Sequence, residues 1–114
     1  MMDKISSSSI GSAIRYLIAL NTMNNPSNVA IARLTGMSIR TARNAGDRKI
    51  KIPYEIEYNS RLLELSSPAV TLYHHLKYTE KVTQKDICAE MNMCKKTYRR
   101  AYKELVKEGL LVIQ

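Results

Sequence analysis

Apolar residues recur along this chain with two different periods. Ile10, Ile14, Leu17, Ile18 and Leu20 follow the three-to-four spacing of an amphipathic helix over residues 10–22. Asn24, Asn25 and Pro26 stop it. In residues 49–58 the period is two: Ile50, Ile52, Tyr54, Ile56 and Tyr58 alternate with Lys51, Pro53, Glu55 and Glu57, which predicts a strand. Pro53 has no backbone donor, so that strand is expected at an edge, bulged, or folded into a hairpin. Residues 61–65 predict a short turn of helix. Behind Ser66 or Ser67 as cap and Pro68 in the first turn, helical spacing returns, with Val70, Leu72, Tyr73, Leu76 and Tyr78 expected to point inward. Residues 110–113 read as a terminal strand that pairs with the central one, because an isolated strand has no stability of its own.

One longer pattern occurs twice, 56 positions apart (31 to 87). Residues 27–45 read SNVAIARLTGMSIRTARNA, and residues 83–101 read TQKDICAEMNMCKKTYRRA. In this register Ile31 falls on Ile87, Met37 on Met93, Thr41 on Thr97, Arg43 on Arg99 and Ala45 on Ala101. Ser27 and Thr83 are good helix N-caps. Asp86 is placed to reach back to Thr83 as in a capping box, and Val82 and Ile87 have the spacing of a hydrophobic staple. Gly36 and Asn92, the residue types that tolerate a left-handed backbone, stand where the chain must leave one helix for the next. Met37 and Met93 are spaced to plug the gap between helices. Ser38 and the weaker Cys94 cap the second helix of each pair. Each copy therefore predicts a helix-turn-helix, with helices near 27–35 and 38–46, and again near 83–91 and 94–108.

The layout is a helix, a helix-turn-helix and a strand, then the same again. The expected fold is mainly α with a small central antiparallel β element, a tandem (winged) helix-turn-helix pseudo-dimer. Only one strand follows the second reading helix, so a complete second wing is not expected. Two separate cores of about 50 residues would each be marginal. Residues 10–58 and 59–114 are therefore expected to form two similar halves of a single compact domain.

Charge adds a partner class to this picture. The chain has 18 basic and 10 acidic residues, for a net +8. Residues 1–57 hold eight basic and four acidic groups and residues 58–114 ten and six, so each half is +4. That division suits two surfaces facing a polyanion better than one basic tail. The stretch 10–23 is interrupted by Ser12, Arg15 and Asn21, so no membrane span is expected, and the Ser6–Ser9 run does not lead into a signal peptide. Cys88 and Cys94 lack the spacing of a zinc site even with His74 and His75 nearby. Free thiols fit a cytoplasmic protein. No nucleophile or carboxylate partner is arranged around either histidine, and no phosphate loop occurs. The expectation is a binding protein that is not an enzyme and needs no cofactor or metal.

The residues that would meet nucleic acid are identified by the helix faces. In the second reading helix Tyr98, Ala101, Leu105 and Tyr102 take the inward face, leaving Lys95, Lys96, Arg99, Arg100 and Lys103 outward. In the first, Ala42 and Ala45 turn inward, leaving Ile39, Arg40, Arg43 and Asn44 outward. A helix in the major groove presents its N-terminal residues to base edges; Arg pairs bidentately with guanine and Asn with adenine. Arg40, Arg43, Asn44, Lys96, Arg99 and Arg100 are the candidate base readers. Lys95, Lys103 and Lys85 are assigned to phosphate, which positions a protein without reading sequence. Thr41 and Thr97 either touch phosphate or pack near the turn.

With both helix-turn-helix copies and KIKIPYEIEY between them, the chain resembles the TraN-like small accessory transfer proteins of Gram-positive conjugative plasmids. That resemblance implies an internal dimer with antiparallel strands at its centre and a reading unit at each end. It also implies sequence-specific binding of double-stranded DNA near a transfer origin, regulation of the transfer operon, and contact with a relaxase or other transfer proteins. The second half, from SPAVTLYHHL onward, also resembles the winged-helix domains of phage and plasmid replication and regulatory proteins. A promoter repressor, an excisionase and a replication factor stay open as alternatives, as does an interaction module that has lost DNA binding. Spacing alone supports a monomer with two reading heads on two half-sites; if a pseudo-two-fold axis relates the heads, the half-sites are inverted and about 10 bp apart, or a multiple, and imperfectly so because the heads differ.

Overall fold

A computed structural model of the chain describes residues 7–47, 51–79 and 83–111. They form α1 (Ser7–Thr22), α2 (Asn28–Thr35), α3 (Ile39–Asp47), a 3₁₀ turn (Ser60–Glu64), α4 (Ser67–Leu76), α5 (Gln84–Met91) and α6 (Lys95–Lys107). The 56-residue repeat reappears helix by helix: α5 begins and ends 56 residues after α2, and α6 begins 56 residues after α3.

Local chemistry sets these boundaries. Ser27 Oγ accepts from Ala30 N at 3.1 Å, and Thr83 Oγ1 accepts from Asp86 N at 3.2 Å. Each bond satisfies one of the free N–H groups of a first turn. The Thr83 hydroxyl donates to Asp86 Oδ2 at 2.7 Å, a side-chain variant of the expected capping box. Gly36 (φ 76°) and Asn92 (φ 52°) both adopt the left-handed conformation that ends α2 and α5. At Gly36 a single bond runs back from its N–H to Ala32 O. At Asn92 a pair closes the helix, Asn92 N to Ala89 O and Met93 N to Cys88 O, as in a Schellman motif. Val82, and with it the expected staple, lies outside the described residues.

The core lies along α1, which packs against α2, α3, α4 and the 3₁₀ turn, while α4 also packs against α6. Ile14, Ile18, Ile31, Leu62, Val70, Leu72 and Leu105 are all buried at its centre. Gly11 marks the closest approach of α1 to α4. A β-carbon there would lie 1.9 Å from the Ser67 carbonyl oxygen, and Ser12 Oγ hydrogen-bonds Ser67 Oγ at 2.8 Å. Gly11 and Ser67 are themselves 56 positions apart. Contact between equivalent residues is what an isologous, two-fold arrangement of the halves produces.

The expected central β element is not present. Among the described residues there is no strand, and the body is all-helical. Residues 49 and 50 lie outside the described residues, but 51–59 run extended and keep part of the predicted alternation. Ile52, Tyr54 and Ile56 pack on the core while Lys51, Pro53 and Glu55 are exposed. The partner of this segment is a helix. Glu55 N donates to Tyr78 Oη at 3.0 Å, and Glu57 N donates to His74 Nε2 at 3.1 Å. Tyr54 Oη meets His75 Nδ1 at 2.9 Å, Lys77 Nζ donates to Glu57 Oε1 at 2.7 Å, and the Tyr73 hydroxyl donates to Glu57 Oε2. The two backbone donors that a ladder would need are taken by side chains of α4 and the turn after it.

Of the expected terminal strand only Leu110 and Leu111 are described, and they form no strand. Leu110 N and Leu111 N both donate back to Leu105 O, at 2.8 and 3.3 Å, and Gly109 N donates to Val106 O at 3.0 Å with Gly109 at φ 73°, which closes α6 as in a Schellman motif. Residues 112 and 113 lie outside the described residues. The halves are thus joined by α1 against α4, and the described residues form no wing. Two residues expected inward are also exposed. Leu20 is 37% exposed at the end of α1; Tyr78 is 53% exposed, with its ring stacked on Tyr54.

Candidate nucleic-acid interface

Helices α3 and α6 are each held from one side only. In α3 Ala42 is fully buried and Ala45 half-buried. In α6 Ala101 and Leu105 are buried, and Tyr98 and Tyr102 stack with centroids 5.8 Å apart. Glu104 ties α6 to the start of α4: Oε1 accepts from Ser66 N at 3.0 Å and Oε2 from Ser66 Oγ at 2.5 Å. Next to this junction Arg15 crosses from α1, donating to Ser67 Oγ and to Leu63 O, each at 3.3 Å. Burial pushes the Arg15 pKa down and the Glu104 charge partly restores it. The buried arginine braces the two halves, so it is unavailable to a ligand.

The opposite faces are free. Arg40, Arg43, Asn44, Lys95, Lys96, Arg99, Arg100 and Lys103 are all exposed, as is Lys85 on α5. Among the described residues, Lys77 pairs with Glu57 and His75 meets Glu90, and neither contact is on α3 or α6. The cations of α3 and α6 are therefore solvated and unmatched by carboxylates, which leaves them available to a phosphate or a guanine edge. Lys107 extends the α6 stripe. It is exposed and one turn beyond Lys103, a spacing the sequence reading passed over.

Thr41 and Thr97 sit differently from the other candidates. Each is half-buried and engaged at its own helix start. Thr41 N donates to Ser38 Oγ at 3.0 Å and Ser38 Oγ donates to Thr41 Oγ1 at 2.8 Å. Thr97 N donates to Cys94 Sγ at 3.5 Å, and the two side chains meet at 3.1 Å. Both threonines serve caps that fix where α3 and α6 begin. The bonds from Thr97 also pull the exposed Cys94 thiol below its ordinary pKa, whereas burial pushes Cys88 up.

The histidines lie away from this surface. His74 is fully buried; Nδ1 donates to Val70 O at 2.8 Å while Nε2 accepts from Glu57 N. That combination requires one neutral tautomer, and burial lowers its pKa accordingly. His75 bridges Tyr54 and Glu90, at 2.9 Å to each. Both act as anchors for the extended segment.

Among the described residues no helix is long and apolar enough to cross a membrane. No protein-family model, curated protein or solved structure matches the chain.

Proposed function

We propose that the protein is a non-enzymatic, sequence-specific reader of double-stranded DNA that uses α3 and α6 as two recognition helices on one chain. The observation that carries this reading is the repeat itself. Two helix pairs, matched at both ends of the first helix and at the start of the second, each leave a basic face unburied and unpaired. Recognition helices of this type dock two half-sites one DNA turn apart, about 34 Å, or a multiple of it. The described body measures at most 40 Å across, which excludes half-sites two turns apart, about 68 Å, on a straight duplex. The self-equivalent contact of Gly11 with Ser67 favours inverted half-sites.

Placement of the target near a transfer origin, with a role in regulating the transfer operon, is supported by the resemblance to small plasmid transfer proteins. The two described helix pairs are compatible with the heads which that resemblance implies; its central strands are not seen among the described residues, where α1 packs against α4. Selection of bound duplexes from a random DNA pool tests the reading, with the winner titrated at about 50 and 200 mM salt. The expected result is a split, imperfectly inverted motif whose affinity falls by orders of magnitude across that range. Absence of any enriched motif, or binding insensitive to salt, would refute it. The genomic position of the motif then separates a transfer origin from a promoter.

A further inference from the structure

The two reading helices begin at matching positions but present different chemistry. From the first residue of each helix, Ile39 stands where Lys95 stands, Arg40 where Lys96, Arg43 where Arg99 and Asn44 where Arg100. At roughly 100° per residue these four positions cover an arc of about 140° on each helix, directed away from the buried Ala42 and Ala101. The same imbalance appears on the preceding helices, where exposed Val29 in α2 matches exposed Lys85 in α5. At three of these positions the second head has a cation and the first a neutral side chain.

We propose that the two half-sites differ in base composition, and that Ile39 and Asn44 set the difference. In this reading α3 places Ile39 against a thymine 5-methyl and Asn44 on an adenine. The second helix, α6, reads a guanine-rich half-site through Lys96, Arg99 and Arg100, while the longer, charged side chain of Lys95 at the position of Ile39 reaches past the base edge to phosphate. The halves share a guanine at the equivalent positions of Arg43 and Arg99. The inference rests on the DNA-reading function proposed above.

The chemistry of the major groove supports each assignment. The thymine methyl is the apolar group a base pair offers there, Asn matches adenine N6 and N7, and Arg or Lys matches guanine O6 and N7. Scattered surface apolar residues are ordinary; what distinguishes Ile39 is its place. It is 45% exposed at the first position of a reading helix, on the same face as the unpaired Arg40 and Arg43. A second consequence concerns affinity. Phosphate attraction is concentrated at the second head, so a duplex carrying only the α6 half-site binds more tightly than one carrying only the α3 half-site.

Duplex selection on the wild type and on an Ile39→Lys/Asn44→Arg double variant tests this. Both substitutions are at exposed positions, so the fold is retained, which circular dichroism and a melting curve verify. The wild type is expected to select unequal halves, with thymine and adenine in one and guanine in the other. The double variant is expected to select a nearly symmetric, guanine-rich inverted repeat. Deoxyuridine in place of the contacted thymine removes only the methyl. It should weaken wild-type binding about fourfold, the effect of re-exposing one buried methyl group, and leave an Ile39→Ala variant unaffected. Equal half-sites for the wild type, an unchanged motif for the double variant, or no effect of deoxyuridine would overturn the inference while leaving DNA reading intact. Enrichment of no motif at all would overturn DNA reading and this inference together.

Discussion

Replacing Gly11 by alanine sets two effects of opposite sign against each other. Gly11 is inside α1, where alanine is favoured over glycine by about 1 kcal/mol through helix propensity alone. Against this, the new β-carbon would start 1.9 Å from the carbonyl oxygen of Ser67. Real β-carbons essentially never approach within 3.0 Å, and the obstacle is backbone, so α1 and α4 must separate by about 1 Å. Overpacking of this kind costs about 1–3 kcal/mol. The separation also stretches the Ser12–Ser67 and Arg15–Ser67 hydrogen bonds, each worth about 1 kcal/mol. The clash therefore wins, with a net loss of about 2 kcal/mol and a fall in Tm of roughly 8 °C. Thermal and urea unfolding of Gly11→Ala beside the wild type measures it. A variant as stable as the wild type, or about 1 kcal/mol more stable, would refute the α1–α4 contact.

Further expectations concern the turns, the anchors and the reading face. Asn92→Val forces a β-branched residue into φ 52° and should cost about 1–3 kcal/mol in unfolding experiments, whereas Asn92→Gly should be close to neutral. Burial holds the His74 imidazole below 6.5, so the unfolded chain takes up a proton first as the pH falls. The His74 contribution to stability is therefore constant above about pH 6.5 and declines as the pH drops towards the lowered folded-state value, a slope that His74→Gln should remove. The exposed, lowered thiol of Cys94 should alkylate before the buried, raised thiol of Cys88. Mass spectrometry tracks the order, and the modified protein should lose DNA binding because the adduct sits at the start of α6. Arg99→Ala or Arg100→Ala should weaken specific binding by about 1–3 kcal/mol without lowering Tm; wild-type affinity in both would displace the second reading helix from the groove.

The helix boundaries were readable because they depend on chemistry a few residues apart. Ser27, Gly36, Thr83 and Asn92 do locally what their types predict. The strand was misread because a period of two reports which face is buried and says nothing about what pairs with the backbone. Ile52, Tyr54 and Ile56 do face the core, yet the N–H groups of Glu55 and Glu57 find acceptors on Tyr78 and His74, about 20 residues away. No local pattern announces such a partner, although the adjacent His74 and His75 within an apolar helix could have raised the question. At the reading face, exposure of the basic residues followed from helical spacing. The engagement of Thr41 and Thr97 was encoded in their three-residue distance from Ser38 and Cys94, which is the spacing of a cap. Arg15 shows the limit of reading one helix by itself. It interrupts an apolar run, as a surface residue would, but Ser67, the Leu63 carbonyl and Glu104 gather around it from three other elements.

The most direct test of the two-headed account is to map amide chemical shifts by NMR while the selected duplex is titrated into the labelled protein. The account predicts a one-to-one complex in which residues 38–44 and 94–103 shift together, with the extended segment 51–59 nearly unchanged. Shifts confined to one head, or centred on 51–59, would contradict it.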